Sequence, residues 1–130
     1  MTMRKWFVLA VSLLFAGSAT AQQTITRETF EADSVSDIVA LCSAPADDGE
    51  GLVALGFCFG WLAGVDEFYK ALLADERFNV KPVACPDRKL TRDEIRVQFV
   101  EWAKKNPDAM DMPALAGIIR AARETYPCAS

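Results

Sequence analysis

Apolar and polar residues follow one another along this chain in blocks of helical length and period, not in residue-by-residue alternation. The first block, "FVLAVSLLFAG", follows a basic start with Arg4 and Lys5 and precedes the small-residue segment "SATA". It is too short to span a bilayer comfortably, so residues 1–21 read as a signal peptide cut after Ala21. Residues 22–33 are polar and unpatterned and read as a flexible leader. "DSVSDIVALC" then predicts a short helix, with Ser34 as N-cap and Asp37 three positions on. "SAPADDGEG" breaks it. From Leu52 to Asp75 the chain is apolar almost all round, with bulk on different faces at Leu55, Phe59, Leu62, Phe68, Tyr69 and Leu72. That pattern predicts a central helix buried on several sides. After a loop, "ERFNVKPVACPDRKL", the segment "TRDEIRVQFVEWAKKN" opens with Thr91 and carries Glu94 three positions on, a capping box. Ile95, Phe99 and Trp102 recur behind it as a core stripe, and Lys104 and Lys105 stand where the helix dipole favours cations. "NPDAMDMP" is a tight connection with Pro113 as the first residue of a last helix. Leu115, Ile118, Ile119 and Ala122 give that helix its apolar side, and Pro127 stops it. No strand alternation of useful length and no internal repeat interrupt this series, so the chain reads as an all-α bundle of four helices.

Cleavage leaves about 109 residues, enough for one small domain. Without Arg4 and Lys5, 12 basic side chains face 18 acidic ones, a net charge of about −6. That sign argues against nucleic acid and anionic membrane surfaces as partners. It suits a basic protein partner, though it is also ordinary for a soluble domain. After the first block no run approaches the length and apolarity of a membrane span, and no membrane insertion is expected. The chain has no histidine. Four cysteines, Cys42, Cys58, Cys85 and Cys128, fall in the exported part, at spacings of 16, 27 and 43 residues. An even number in an exported chain points to a disulfide framework, whereas zinc usually needs close pairs. Neither a metal nor another cofactor is expected. With no histidine and the cysteines oxidised, nucleophilic catalysis has few players. Asp66 and Glu67 point to different sides of a helix, so no paired acid–base set forms. The chain does not read as an enzyme.

Counting leaves three disulfide pairings open. The short connection between the first two helices makes them antiparallel neighbours, which favours Cys42 with Cys58 and leaves Cys85 with Cys128. Gly56, Gly60 and Gly64 recur four apart in the long apolar helix, where each costs about 1 kcal/mol against alanine. Residues at that spacing form one smooth strip. The strip is expected to admit a neighbouring helix of the same domain; a dimer face is the alternative.

The order of these features resembles the Rap/Tai family of type VI secretion immunity proteins, along roughly Ser34 to Cys128. Cys58, Gly60, Trp61, Gly64 and Val65 fit that family's C-x-G-Y-x-x-G-V segment, with tryptophan for tyrosine. Cys85, Pro86, Thr91, Glu94 and Ile95 fit its C-x-P segment and helix start. Pro113, Ala114, Tyr126, Pro127 and Cys128 fit its close. Departures fall in the connections, where Asn106 and Asp111 stand at positions often held by histidine. The resemblance implies that residues 34–130 are a helical immunity domain of a Gram-negative periplasm. Such a domain would occlude the active site of a secreted peptidoglycan amidase effector, commonly as a homodimer and without catalysis of its own. Recognition on a rigid scaffold falls to loops. Two are available, Arg77 to Lys89 with Phe78, Asp87 and Arg88, and Lys105 to Met112 with Asp108, Met110 and Asp111. Their apolar residues have the alternative of folding back onto the core. Two other functions fit the composition: an acid-activated periplasmic chaperone whose carboxylates are protonated at low pH, and an orphan envelope protein of the same fold.

Overall fold

Local capping starts each of the first three helices. The computed structural model describes residues 23–129; the signal peptide and its cleavage site lie outside them. Helix α1 is Val35–Cys42. At its start the Ser34 hydroxyl accepts from the Asp37 N–H (3.2 Å), and the Asp37 carboxylate accepts from the Ser34 N–H (3.0 Å). Helix α2, Gly49–Ala74, starts three residues before the apolar run because the Asp48 carboxylate caps the Gly51 N–H at 2.7 Å. Helix α3, Arg92–Lys105, opens on the Thr91–Glu94 box. Helix α4 is Ala114–Thr125, with Pro113 as its N-cap and not its first residue, so it starts one position later than expected. Two 3-10 turns, Glu28–Glu31 and Pro107–Ala109, complete the elements. Among the described residues no strand forms, only an isolated bridge between Ser34 and Pro113. The all-α reading with four helices holds.

The centre of the bundle is the eight-residue α1, not the long α2. Val35, Ile38, Leu41 and Cys42 are fully buried, and α1 packs against α2, α3 and α4. Phe99, Trp102, Ala103, Ile118 and Ala121 close around it. Of α2 only Gly51, Ala54, Cys58 and Leu62 are buried. These four lie along one line of the helix, so the expectation of burial on several sides is corrected to burial on one. By length and composition α2 is in addition long and apolar enough to cross a membrane, against the expectation that no later run would be. Cys58 on its inner face is nevertheless disulfide-bonded to Cys42 in the centre of the bundle.

The segment read as a flexible leader is docked from Ile25 onward. Thr29 is buried, Ile25, Phe30 and Ala32 pack on the core, and Phe30 meets Phe57 edge to face at 5.4 Å. Polar composition hid this because the anchoring apolar residues are only three, Ile25, Phe30 and Ala32, set among charges.

The glycine expectation is also overturned. A Cβ at Gly56, Gly60 or Gly64 would meet nothing within 4 Å. At 100° per residue, Gly56 and Gly60 stand roughly opposite Cys58, so these two face away from the bundle. The close approaches fall at other glycines. A Cβ at Gly51 would come within 1.7 Å of the Pro45 carbonyl oxygen, and one at Gly117 within 2.1 Å of Val35 Cγ2. Gly117 thus lets α4 settle against α1, while Gly51 lets the α1–α2 connection turn tightly.

Candidate binding surface

Three surfaces of this scaffold stand out, two loops and one apolar face. Residues 75–91 have no helix or strand of their own, yet they are tied down repeatedly. Directly after α2, Phe78 N–H donates to the Asp75 carbonyl (3.1 Å) and Asn79 N–H to that of Glu76 (3.3 Å). Asn79 has φ 47°, the left-handed region that asparagine tolerates. Arg77 folds onto the Asp75 carboxylate at 2.6 Å, whose acidity it raises by hydrogen bonding. Phe78 is left at the turn with 57% of its surface exposed. Further on, Val83 N–H donates to the Tyr69 hydroxyl (2.8 Å), and Cys85 N–H to the Tyr126 carbonyl (2.9 Å). The disulfide Cys85–Cys128 sits beside the last of these. Both pairings expected from the sequence are therefore present in the structure.

Of the other residues expected in this loop, Asp87 is exposed. Arg88 has a local partner, since its guanidinium holds Glu94 at 2.5 Å. Arg88 first, and then the Thr91 N–H and hydroxyl, pull the Glu94 carboxyl down to about 2. A carboxyl with a folded pKa below its ordinary value stabilises the fold above that ordinary value, near 4.5, and loses this as pH falls through about 2. The start of α3 is therefore expected to stay capped at pH 3. An NMR titration of Glu94 with amide exchange along α3 should show a midpoint near 2, whereas one near 4.5 would mean the box is open in solution.

The second loop is closed rather than free. Met110 and Met112 are half-buried against the core, and their carbonyls accept from Ser36 N–H (3.0 Å) and Val35 N–H (2.9 Å). Ala109 is fully buried. Asp108 pairs with Arg120 at 3.1 Å, and Asp111 is exposed. Asp87 and Arg88 precede α3 whereas Asp108, Met110 and Asp111 follow it. A helix of 14 residues is about 20 Å long, so these five form two groups at opposite ends of α3 and not one patch, while Phe78 stands apart in the turn after α2.

The third surface was expected only as the alternative, a dimer face on the glycine strip, and the groove beside it was not expected. On its outer side α2 carries Leu52 and Val53, 56% and 63% exposed, with the glycine strip beside them. On its flank, a groove of about 560 Å³ lies between the second half of α2 and α4, with Trp61, Val65, Phe68 and Leu72 on one wall and Leu115 and Ile119 on the other. The signal for it was in the sequence: a helix apolar all round has more apolar surface than one small bundle can cover. Among the described residues no group of His, Cys, Asp or Glu is placed to hold a metal ion.

A family model described as Rap1a immunity proteins matches residues 34–128, from the N-cap of α1 to the last cysteine. The chain belongs to that family. The match covers all four helices and both disulfides. It makes the chain an immunity protein that acts on a secreted toxin by binding it, a role for which a braced scaffold with tethered loops is suited. No curated protein and no solved structure matches the chain.

Proposed function

We propose that this Rap1a-family protein acts in the periplasm of a Gram-negative bacterium, where it binds a peptidoglycan amidase delivered by type VI secretion and occludes its active site. The observation that carries this reading is Phe78, an exposed aromatic side chain on a turn fixed at both ends. An apolar anchor on a rigid loop loses little entropy on entering a cleft. The loop's restraints suit an oxidising compartment, since Cys85–Cys128 is one of them. No chemistry is asked of the protein itself; it excludes substrate. The test is inhibition of the amidase against purified peptidoglycan by the oxidised protein. Stoichiometric inhibition supports the reading, and full amidase activity in the presence of a bound or excess protein refutes it.

The active form is proposed to be a homodimer joined through the outer face of α2. The strip Gly56, Gly60 and Gly64 has open space above it, and the flanking Leu52 and Val53 need cover. A second α2 crossing at Gly60 would provide it, with both backbones approaching closely. Gly60→Leu has room in the single chain and improves helix propensity by about 1 kcal/mol. It is therefore expected to give a more stable monomer, as read by sedimentation and thermal unfolding. A Gly60→Leu protein that remains dimeric would rule out this face.

A further inference from the structure

The two disulfides hold different parts of the molecule. Cys42 and Cys58 are fully buried and join α1 to α2 at the centre of the bundle. Cys85 and Cys128 are exposed and join the loop 75–91 to the residues that follow α4. Among the described residues, none of 75–91 and none of 126–128 belongs to the buried core. Between Val80 and Cys85 the loop rests instead on a few separate contacts. Val83 N–H donates to the Tyr69 hydroxyl and Cys85 N–H to the Tyr126 carbonyl, while Cys128 Sγ lies 3.7 Å from the Pro82 carbonyl oxygen. Val80, Val83 and Ala84 line one end of the groove between α2 and α4, none of them fully buried. Further on, Arg88 and Glu94 tie the loop to the start of α3.

We propose that Cys85–Cys128 is a redox latch: a dithiol reduces it without reducing Cys42–Cys58, and the middle of the loop is then released while the four helices stay packed. The reductant is a dithiol, in a cell a protein of the C-x-x-C class. One of its thiolates attacks Sγ of Cys85 or Cys128; the S–S bond breaks, and the other cysteine leaves as a thiolate that takes up a proton. The second thiolate of the reductant attacks the mixed disulfide and releases the remaining cysteine. Two electrons and two protons have then passed to the protein, and the reductant ends as a disulfide. An attacking thiolate must reach a sulfur atom, which exposure allows at Cys85–Cys128 and burial denies at Cys42–Cys58. Once the bridge is open, two backbone hydrogen bonds and three partly exposed side chains hold a segment with no helix or strand of its own, too little to offset the entropy of ordering it. Opening stays local because it uncovers no core. The consequence for binding rests on the proposed function, in which this loop carries the contact Phe78. The oxidised form presents a turn held between α2 and the latch, whereas the reduced form must order the loop as it binds.

The probe is dithiothreitol, titrated into the oxidised, exported protein, with free thiols alkylated and the labelled peptides mapped. Label is expected at Cys85 and Cys128 at least tenfold sooner than at Cys42 and Cys58. The protein opened in this way should keep its helical circular dichroism and the slow amide exchange of α1, while exchange at the Val83 and Cys85 amides rises at least tenfold. Cys85→Ser with Cys128→Ser should exchange like the reduced protein and, having no free thiols, is not subject to reshuffling. Labelling of all four cysteines together, loss of helical dichroism on opening, or unchanged exchange at Val83 and Cys85 overturns the latch. Inhibition of the amidase should fall at least tenfold on opening and return on reoxidation; equal inhibition by the two forms overturns control of binding by the latch. An oxidised protein that does not inhibit at all refutes the proposed function instead, and labelling and exchange still decide the latch.

Discussion

Replacing Cys42 and Cys58 together by alanine is expected to cost about 3–5 kcal/mol of stability, a large share of what a domain of this size has. The bridge closes a 16-residue separation, worth about 3 kcal/mol in chain entropy. Both sulfurs are in addition fully buried among Ile38, Leu41 and Ala54, so the alanines leave unfilled volume in the core. It is also the covalent link between the central α1 and the long, one-sided α2. Urea unfolding of the double variant, with Cys85–Cys128 intact, measures the loss. A cost below about 1 kcal/mol would mean that α2 is held to α1 by packing alone. The comparison variant, Cys85→Ala with Cys128→Ala, separates entropy from burial. Its larger separation of 43 residues predicts about 4 kcal/mol by the same chain-entropy rule. Both of its cysteines are exposed, so no core volume is lost, and a mild reductant should open this bridge first.

Much of the fold could be read because short-range rules decide it. The Ser34–Asp37 and Thr91–Glu94 boxes are complete within four residues, and each starts a helix where expected. The disulfide pairing followed from the length of one connection. What could not be read depends on which face meets which neighbour. A pattern apolar all round gives no direction, so α2 was placed at the centre although α1, shorter and more regular in its burial, occupies it. For the same reason three evenly spaced glycines drew attention away from Gly51 and Gly117, single glycines whose hydrogen atoms face Pro45 and Val35. The contact residues were equally ambiguous. Met110 and Phe78 are both apolar residues in polar loops, and it takes the backbone bonds from Ser36 and Val35 to show that the Met110 loop turns inward. The groove joins segments some 50 residues apart; the all-round apolar pattern of α2 signals surplus apolar surface, but nothing local shows that α4 forms the other wall.

That difference between Met110 and Phe78 sets the second large effect. Phe78→Ala is expected to weaken binding to the toxin by about 2–4 kcal/mol, roughly 30- to 700-fold, as for an aromatic anchor at the centre of an interface. It should leave the fold unchanged, because the side chain is 57% exposed and the turn is held by backbone bonds and the Asp75–Arg77 pair. Met110→Ala should do the reverse, lowering stability through its packing on the core while affinity stays near that of the parent. Titration of the toxin, proposed to be an amidase, with each variant, beside circular dichroism and urea unfolding, reads both quantities. Phe78→Tyr keeps the ring and should keep most of the inhibition. Asp87 and Arg88 stand about 20 Å from Asp108 and Asp111 along α3, so one narrow cleft cannot take both pairs from the same chain. If Phe78→Ala inhibits like the parent, the anchor is not in this turn, and Asp108→Ala with Asp111→Ala, at the other end of α3, should then carry the loss.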